Sequence, residues 1–187
     1  YSAQLHATDG REPYTWRVSA GVLPAGLRLN RTTGLISGTP TAGGGTATFT
    51  IAVTDTDSPA STDAREFKIV VPVVVITTTL AAAADGVAYE AALGAAAGLP
   101  PYTWAVTDGQ LPDGLTLAAD TGLISGTVTA VATTETFTVT VTDADTPVTS
   151  AVQELKLVVA PLIATASLPD ATIGVAYSET AAAAHGV

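Results

Sequence analysis

The sequence predicts an all-β protein made of tandem sandwich domains, and three observations carry that expectation. The heptapeptide TGLISGT occurs at Thr33 to Thr39 and again at Thr121 to Thr127. Apolar and polar residues alternate in short runs, which is the two-residue period of a half-buried strand. Turn chemistry separates those runs, and no stretch shows the period of an amphipathic helix.

The two heptapeptides lie 88 residues apart, and the same offset carries other segments onto one another. PYTW at Pro13 to Trp16 returns at Pro101 to Trp104, Leu23-Pro24-Ala25-Gly26-Leu27 at Leu111 to Leu115, and Phe49 to Asp55 at Phe137 to Asp143. A long in-register offset marks tandem copies of one unit. Gly86-Val87-Ala88-Tyr89 maps onto Gly174 to Tyr177, which opens a third copy. The expected division is therefore 1-72 for a repeat lacking its first strand, 73-160 for a complete repeat and 161-187 for the start of a third. Because Tyr1 is the counterpart of Tyr89, the chain reads as a window on a longer array.

Each element follows from this alignment. Tyr14, Trp16 and Val18 alternate with Thr15 and Arg17 as a strand, with Tyr102 and Trp104 as their counterparts. Leu27 and Leu29 form the next, and Phe49, Ile51 and Val53 another, with Phe137 opening its equivalent. Phe67, Ile69 and Val71 form the last. Trp16, Trp104, Tyr14, Tyr102, Phe49 and Phe137 are the expected core. In TGLISGT, Gly34 and Gly38 (Gly122 and Gly126 in the second copy) can supply the backbone angles of tight bends. Leu35 or Ile36 then plugs the core between them. The alanine runs at 91–97 and 181–184 favour helix by propensity, but the first aligns with the alternating Tyr1, Ala3, Leu5 and Ala7 and is expected as strand.

The chain has 187 residues, no Cys and a formal net charge of −10. Small cores without disulfides must be held by burial. The acidic balance opposes a phosphate backbone and excludes nucleic acid as a partner. Six of the seven basic residues lie in the first copy: Arg11, Arg17, Arg28, Arg31, Arg65 and Lys68. The apolar stretch from Ile69 to Ala84 is too short for a membrane span and holds a proline. It reads as a last strand, a linker at Pro72 and a first strand.

PYTW, LPxGLxL, TGLISGTPT and FTIAVTD with the acidic, Pro-containing loop behind it resemble the bacterial Ig-like repeat family of dystroglycan-type, cadherin-like domains. The motifs occur in order, twice, and cover nearly the whole chain. The resemblance implies immunoglobulin/cadherin-like sandwiches strung in tandem on secreted or surface-anchored proteins, with spacer or adhesive roles. Two departures, Val128 for Pro40 and the missing counterpart of Gly43-Gly44-Gly45, bear on loop shape.

Chemistry is sparse. His6 and His185 do not match each other in the repeat, and neither sits in a metal-ligand spacing. Ser37 and Ser125 stand in glycine-flanked turns, yet no histidine base repeats beside them. The chain is therefore expected not to be an enzyme. Asp55 and Asp57, with Asp143 and Asp145, place two carboxylates at alternate positions of a loop, the donor type that calcium takes. The resemblance adds a calcium clasp at domain junctions, which Glu66, Asp85, Glu154 or Asp170 would complete. The alternative is a solvated turn in which Asp caps its own backbone. No other cofactor is implied.

Three functions fit. The first is a structural spacer or adhesive repeat of an extracellular stalk, adhesin or fibre, arrayed head to tail. The second is a module binding a surface glycan or protein through variable segments such as Ala42 to Ala47 or Ala60 to Arg65. The third is a filament subunit in which segment 161–176 of one chain supplies the strand absent before Tyr1 of the next, by donor-strand exchange.

Overall fold

The computed structural model describes residues 1–41, 44–57, 59–130, 133–163, 167, 169–180 and 183–184. Among them the regular structure is all β, as the alternation predicts. The first strands are β1 (Ser2–Gln4), β2 (Thr15–Gly21), β3 (Leu27–Leu29), β4 (Leu35–Gly38), β5 (Gly45–Thr54) and β6 (Thr62–Val71). There follow β7 (Val74–Val75), β8 (Ala83–Ala84), β9 (Ala88–Ala92), β10 (Ala95–Ala96) and β11 (Thr103–Gly109). The chain continues through β12 (Leu115–Leu117), β13 (Leu123–Thr127), β14 (Thr133–Thr142) and β15 (Ser150–Ala160), then β16 (Leu162–Ile163) and β17 (Ala183–Ala184). By contacts the chain forms two compact units, one of Tyr1–Val74, Ala95–Tyr102 and Val141–Ala151, the other of Val75–Gly94, Thr103–Thr140 and Val152–Val187.

In the first unit a β2-β5-β6 sheet faces a β1-β4-β3 sheet. Trp16, Leu27, Ile36, Phe49, Ile51 and Ile69 are buried between them. In the second, the strand orders are β11-β14-β15-β8 and β12-β13-β9. Its buried side chains include Trp104, Leu115, Ile124, Phe137, Val139 and Leu157, each 88 positions after a member of the first core. Phe49 also stacks on Phe67, with centroids 6.3 Å apart. Burial of this kind supplies the cohesion that disulfides would otherwise add.

TGLISGT is now explained by geometry. Ile36 and Ile124 are the plugs, at 2% and 0% exposure, while Leu35 and Leu123 are half-buried. Gly34 and Gly122 have φ near +70°, and a Cβ at either would stand 2.8 Å from the indole of Trp16 or Trp104. Gly38 and Gly126, paired with Leu27 and Leu115, would each drive a Cβ into the carbonyl of Gly26 or Gly114. Gly38 is thus required by the close approach of the Gly26 backbone and Gly26 by that of the Thr39 carbonyl, with Gly126, Gly114 and Thr127 as their counterparts.

The structure departs from expectation at Val18, which is 36% exposed rather than buried with Trp16. The β2–β5 register shifts between Val18 and Ala20, and this irregularity ends the alternation. The alanine run 91–97 lies on β9 and β10, as the repeat alignment predicts. Of the 181–184 run, Ala183 and Ala184 form β17, and 181 and 182 lie outside the described residues, as does His185.

The expected first strand of the complete repeat is split into β7 and β8. β8 runs parallel to β15, pairing Ala83 with Val159. Val141, Leu155 and Val159 are all but fully buried, whereas their first-copy counterparts Val53, Phe67 and Val71 are only partly so. Among the described residues no strand stands beside β6 as β8 stands beside β15.

The third copy repeats the local geometry of the second. The β16–β17 pair lies 88 residues beyond β7 and β10, and Tyr177 Oη donates to the Pro169 carbonyl at 3.0 Å as Tyr89 donates to Ala81 at 3.0 Å. In urea titrations, Gly122→Ala should cost about 1–3 kcal/mol from φ strain and the indole clash, and Ile124→Ala about 2–5 kcal/mol from its cavity. A loss below 0.5 kcal/mol, the size of an ordinary surface change, would contradict the packing described.

Candidate functional site

The carboxylates singled out by the sequence close loops. β5 ends at Thr54, and Asp55 then turns its Oδ1 to the Ser61 N–H at 2.7 Å and the Asp57 N–H at 3.3 Å. Asp143 makes the same two bonds, to the Thr149 N–H at 2.7 Å and the Asp145 N–H at 3.4 Å. Backbone bonds Asp55 N–H to Ser61 carbonyl and Asp143 N–H to Thr149 carbonyl, at 3.1 and 3.0 Å, complete the closure. The signal legible in both copies is Asp-x-Asp with a hydroxyl residue six positions after the first Asp. The sequence reading stopped at the Asp pair and missed Ser61 and Thr149.

A second loop is pinned to the first. Thr56 N–H donates to the Arg11 carbonyl at 3.0 Å, and Ala144 N–H to Leu99 at 2.8 Å. Asp9 and Ala97 sit in the left-handed region at φ 66° and 57°, and their carbonyls accept the hydroxyls of Tyr14 and Tyr102 at 2.7 and 2.6 Å. The tyrosine of PYTW is therefore a half-buried clamp on the turn five residues before it. A depression of about 350 Å³ lies beside Asp55 and Asp57.

The environments of the two pairs differ. Asp57 is exposed and Asp55 half-buried, whereas Asp143 and Asp145 are 5% and 7% exposed. In the first unit, loop 143–149 meets β5 and β6: Thr46 Oγ1 donates to Asp145 Oδ2 at 2.7 Å, and Lys68 Nζ to the Thr146 carbonyl at 3.3 Å. Asp143 Oδ2 also accepts Thr149 Oγ1 at 2.7 Å and the Leu99 N–H at 3.2 Å. Four donors thus converge on one carboxylate, which is about its full acceptor capacity. Burial alone would raise the Asp143 pKa, but the bonds from Thr149, Leu99 and Asp145 outweigh it and hold the pKa below 3.8. Asp55 is also held low, chiefly by the Ser61 N–H.

Among the described residues no three His, Cys, Asp or Glu side chains converge to hold a metal ion. A cation drawn to Asp143 would have to displace its donors, so the Asp143 loop as described is not a ready calcium site. Glu66 and Glu154 lie exposed along β6 and β15, and Asp170 is exposed too. Asp85 is buried and engaged within the fold. Ser37 pairs with Ser2 and Arg28 in its ladder, and Ser125 with Glu90 and Thr116. His6 is exposed.

A family model described as Putative Ig domain matches residues 1–72 and 71–160. The chain belongs to this Ig-like family. The two matches fall on the two in-register copies. No curated protein matches the chain. Solved structures similar to it include human CDH23 EC21-23, at 17% identity and TM-score 0.38 over 91% of this chain and 68% of that one. Drosophila N-cadherin EC1-4 is 13% identical with TM-score 0.38, covering 86% and 46%. The protocadherin GammaB4 extracellular domain is 19% identical with TM-score 0.35, covering 83% of this chain and 31% of that one, so the chain spans about a third of its length. Among the described residues no helix is long and apolar enough to cross a membrane.

Two outcomes follow from the loop chemistry. The Asp143 contribution is complete above the ordinary aspartate range and is lost as pH falls through the lower native value. Asp143→Asn should therefore unfold more readily than wild type at pH 7, with the gap narrowing below about pH 4 in urea titrations across pH. Because its donors already saturate Asp143, the difference in thermal midpoint between wild type and Asp143→Asn should be the same with calcium and with chelator, and a calcium-dependent difference would refute that assignment.

Proposed function

We propose that this Ig-like chain is a non-catalytic spacer or adhesive section of a secreted or cell-surface stalk, adhesin or fibre. The observation that carries the reading is that both copies repeat the same core, turns and carboxylate bonds at one offset. The most chemical side chains of the repeat are engaged in holding it together. Function then comes from reach and repetition, with neighbouring repeats as the principal partners. A glycan- or protein-binding role draws less support, because Ala60 to Arg65 offer no aromatic platform. Immunogold labelling of intact source cells tests the proposal: surface label supports it, and label found only after permeabilisation refutes it.

A second reading, head-to-tail joining of identical chains by donor strand, is favoured by one observation. Val53, Phe67 and Val71 are incompletely covered, while Ile173, Val175 and Tyr177 of the third copy are exposed. Negative-stain microscopy over a dilution series separates the two: filaments that persist on dilution support strand exchange, and short discrete particles support the covalent spacer.

A further inference from the structure

The two copies share a core but differ in charge along one edge of the sandwich. β2 and β3 are the terminal strands of the two sheets of the first unit, as β11 and β12 are in the second. Along the β2–β3 edge, Arg17, Arg28 and Arg31 line a single depression floored by Val18, Leu23 and Leu29. Its volume is about 550 Å³. All three arginines are exposed, and among the described residues none of their guanidinium groups is held in an ion pair or hydrogen bond.

In the second copy the equivalents of these arginines are Ala105, Thr116 and Ala119, whereas the equivalents of Leu23 and Leu29 remain leucine. The same edge instead carries exposed carboxylates: Asp108 on β11, and Asp113 and Asp120 in the turns on either side of β12. Their first-copy counterparts are the uncharged Ala20, Ala25 and Thr32. Charge is segregated well beyond this edge. Six basic and six acidic residues cancel within 1–72, while 73–160 holds nine acidic residues against Lys156 alone.

We infer that the arginine-lined edge of the first copy is a docking surface for the carboxylate-bearing edge of the second copy of another molecule of this chain. Guanidinium groups are the cations best suited to pair with carboxylates, through two parallel hydrogen bonds. The occupant is assigned by complementarity: this chain presents, on the matching edge of its own repeat, the charge that the arginines lack. Each exposed pair is worth at most about fivefold in affinity. The contact is therefore weak and salt-sensitive.

Sedimentation velocity of the 187-residue chain over a concentration series tests the inference. At about 20 mM salt the sedimentation coefficient should rise with concentration, and at about 0.5 M the rise should vanish as the screening length falls from about 20 to about 4 Å. The combined Arg17→Glu, Arg28→Glu and Arg31→Glu variant should stay monomeric, and so should the combined Asp108→Lys, Asp113→Lys and Asp120→Lys variant. Mixing the two should restore association, which a merely destabilising change could not do, and circular dichroism should show both folded. Concentration-independent sedimentation at low salt overturns the inference, as does association that survives the arginine reversals. Retention of a monomeric chain on a sulfated polysaccharide, abolished by the same reversals, overturns it in favour of a polyanionic partner.

Discussion

The contact on which the fold depends is an indole packed closely against a glycine. Trp16 rests on Gly34 and Trp104 on Gly122, and in both copies a side chain at the glycine would collide with the ring. The backbone joins in, since the Trp16 and Trp104 N–H groups donate to the Arg31 and Ala119 carbonyls at 2.8 Å. One residue thus ties the first sheet to the turn that begins TGLISGT. The turn in turn delivers Ile36 or Ile124 into the interior. A large aromatic can occupy the centre of so small a sandwich only if the opposite wall gives up a side chain.

The same economy governs the polar loops. A buried carboxylate must be paired or hydrogen-bonded, or its desolvation would disfavour the fold. Asp143 meets that demand with backbone N–H groups and one hydroxyl, and so converts a charge into a clasp between two loops. Asp55 performs the closure in a wetter setting, with the Ser61 backbone as its main partner. The repetition of Asp-x-Asp therefore reflects a repeated folding problem, in the way that the repetition of TGLISGT does.

Surface positions obey no such constraint, and there the copies diverge. Asn30 accepts the Thr32 and Thr33 N–H groups at 2.9 and 3.0 Å through its side chain. Ala118 holds the matching turn with backbone bonds alone, its N–H donating to the Leu123 carbonyl at 2.8 Å. Arg28 and Thr116 likewise occupy the same place in equivalent ladders. Changes at such exposed sites are nearly neutral for stability, so charge can be redistributed along an edge without cost to the core.

By itself the sequence determined the strand content, the offset of the copies and most of the core, because period and repetition are local and survive without coordinates. Local signals were strong enough that the third copy shows the Tyr177 turn bond even where Ile173 and Val175 remain exposed. Tertiary structure alone decided that Ile36 rather than Leu35 is buried, that Val18 faces outward past the register shift, and that Ser61 and Thr149 are the partners of the first Asp in each loop. It also decided that Arg17, Arg28 and Arg31 share one depression. Those outcomes depend on which strands stand at sheet edges and on which backbone donors converge in space, and neither is encoded in the spacing of residues along a chain.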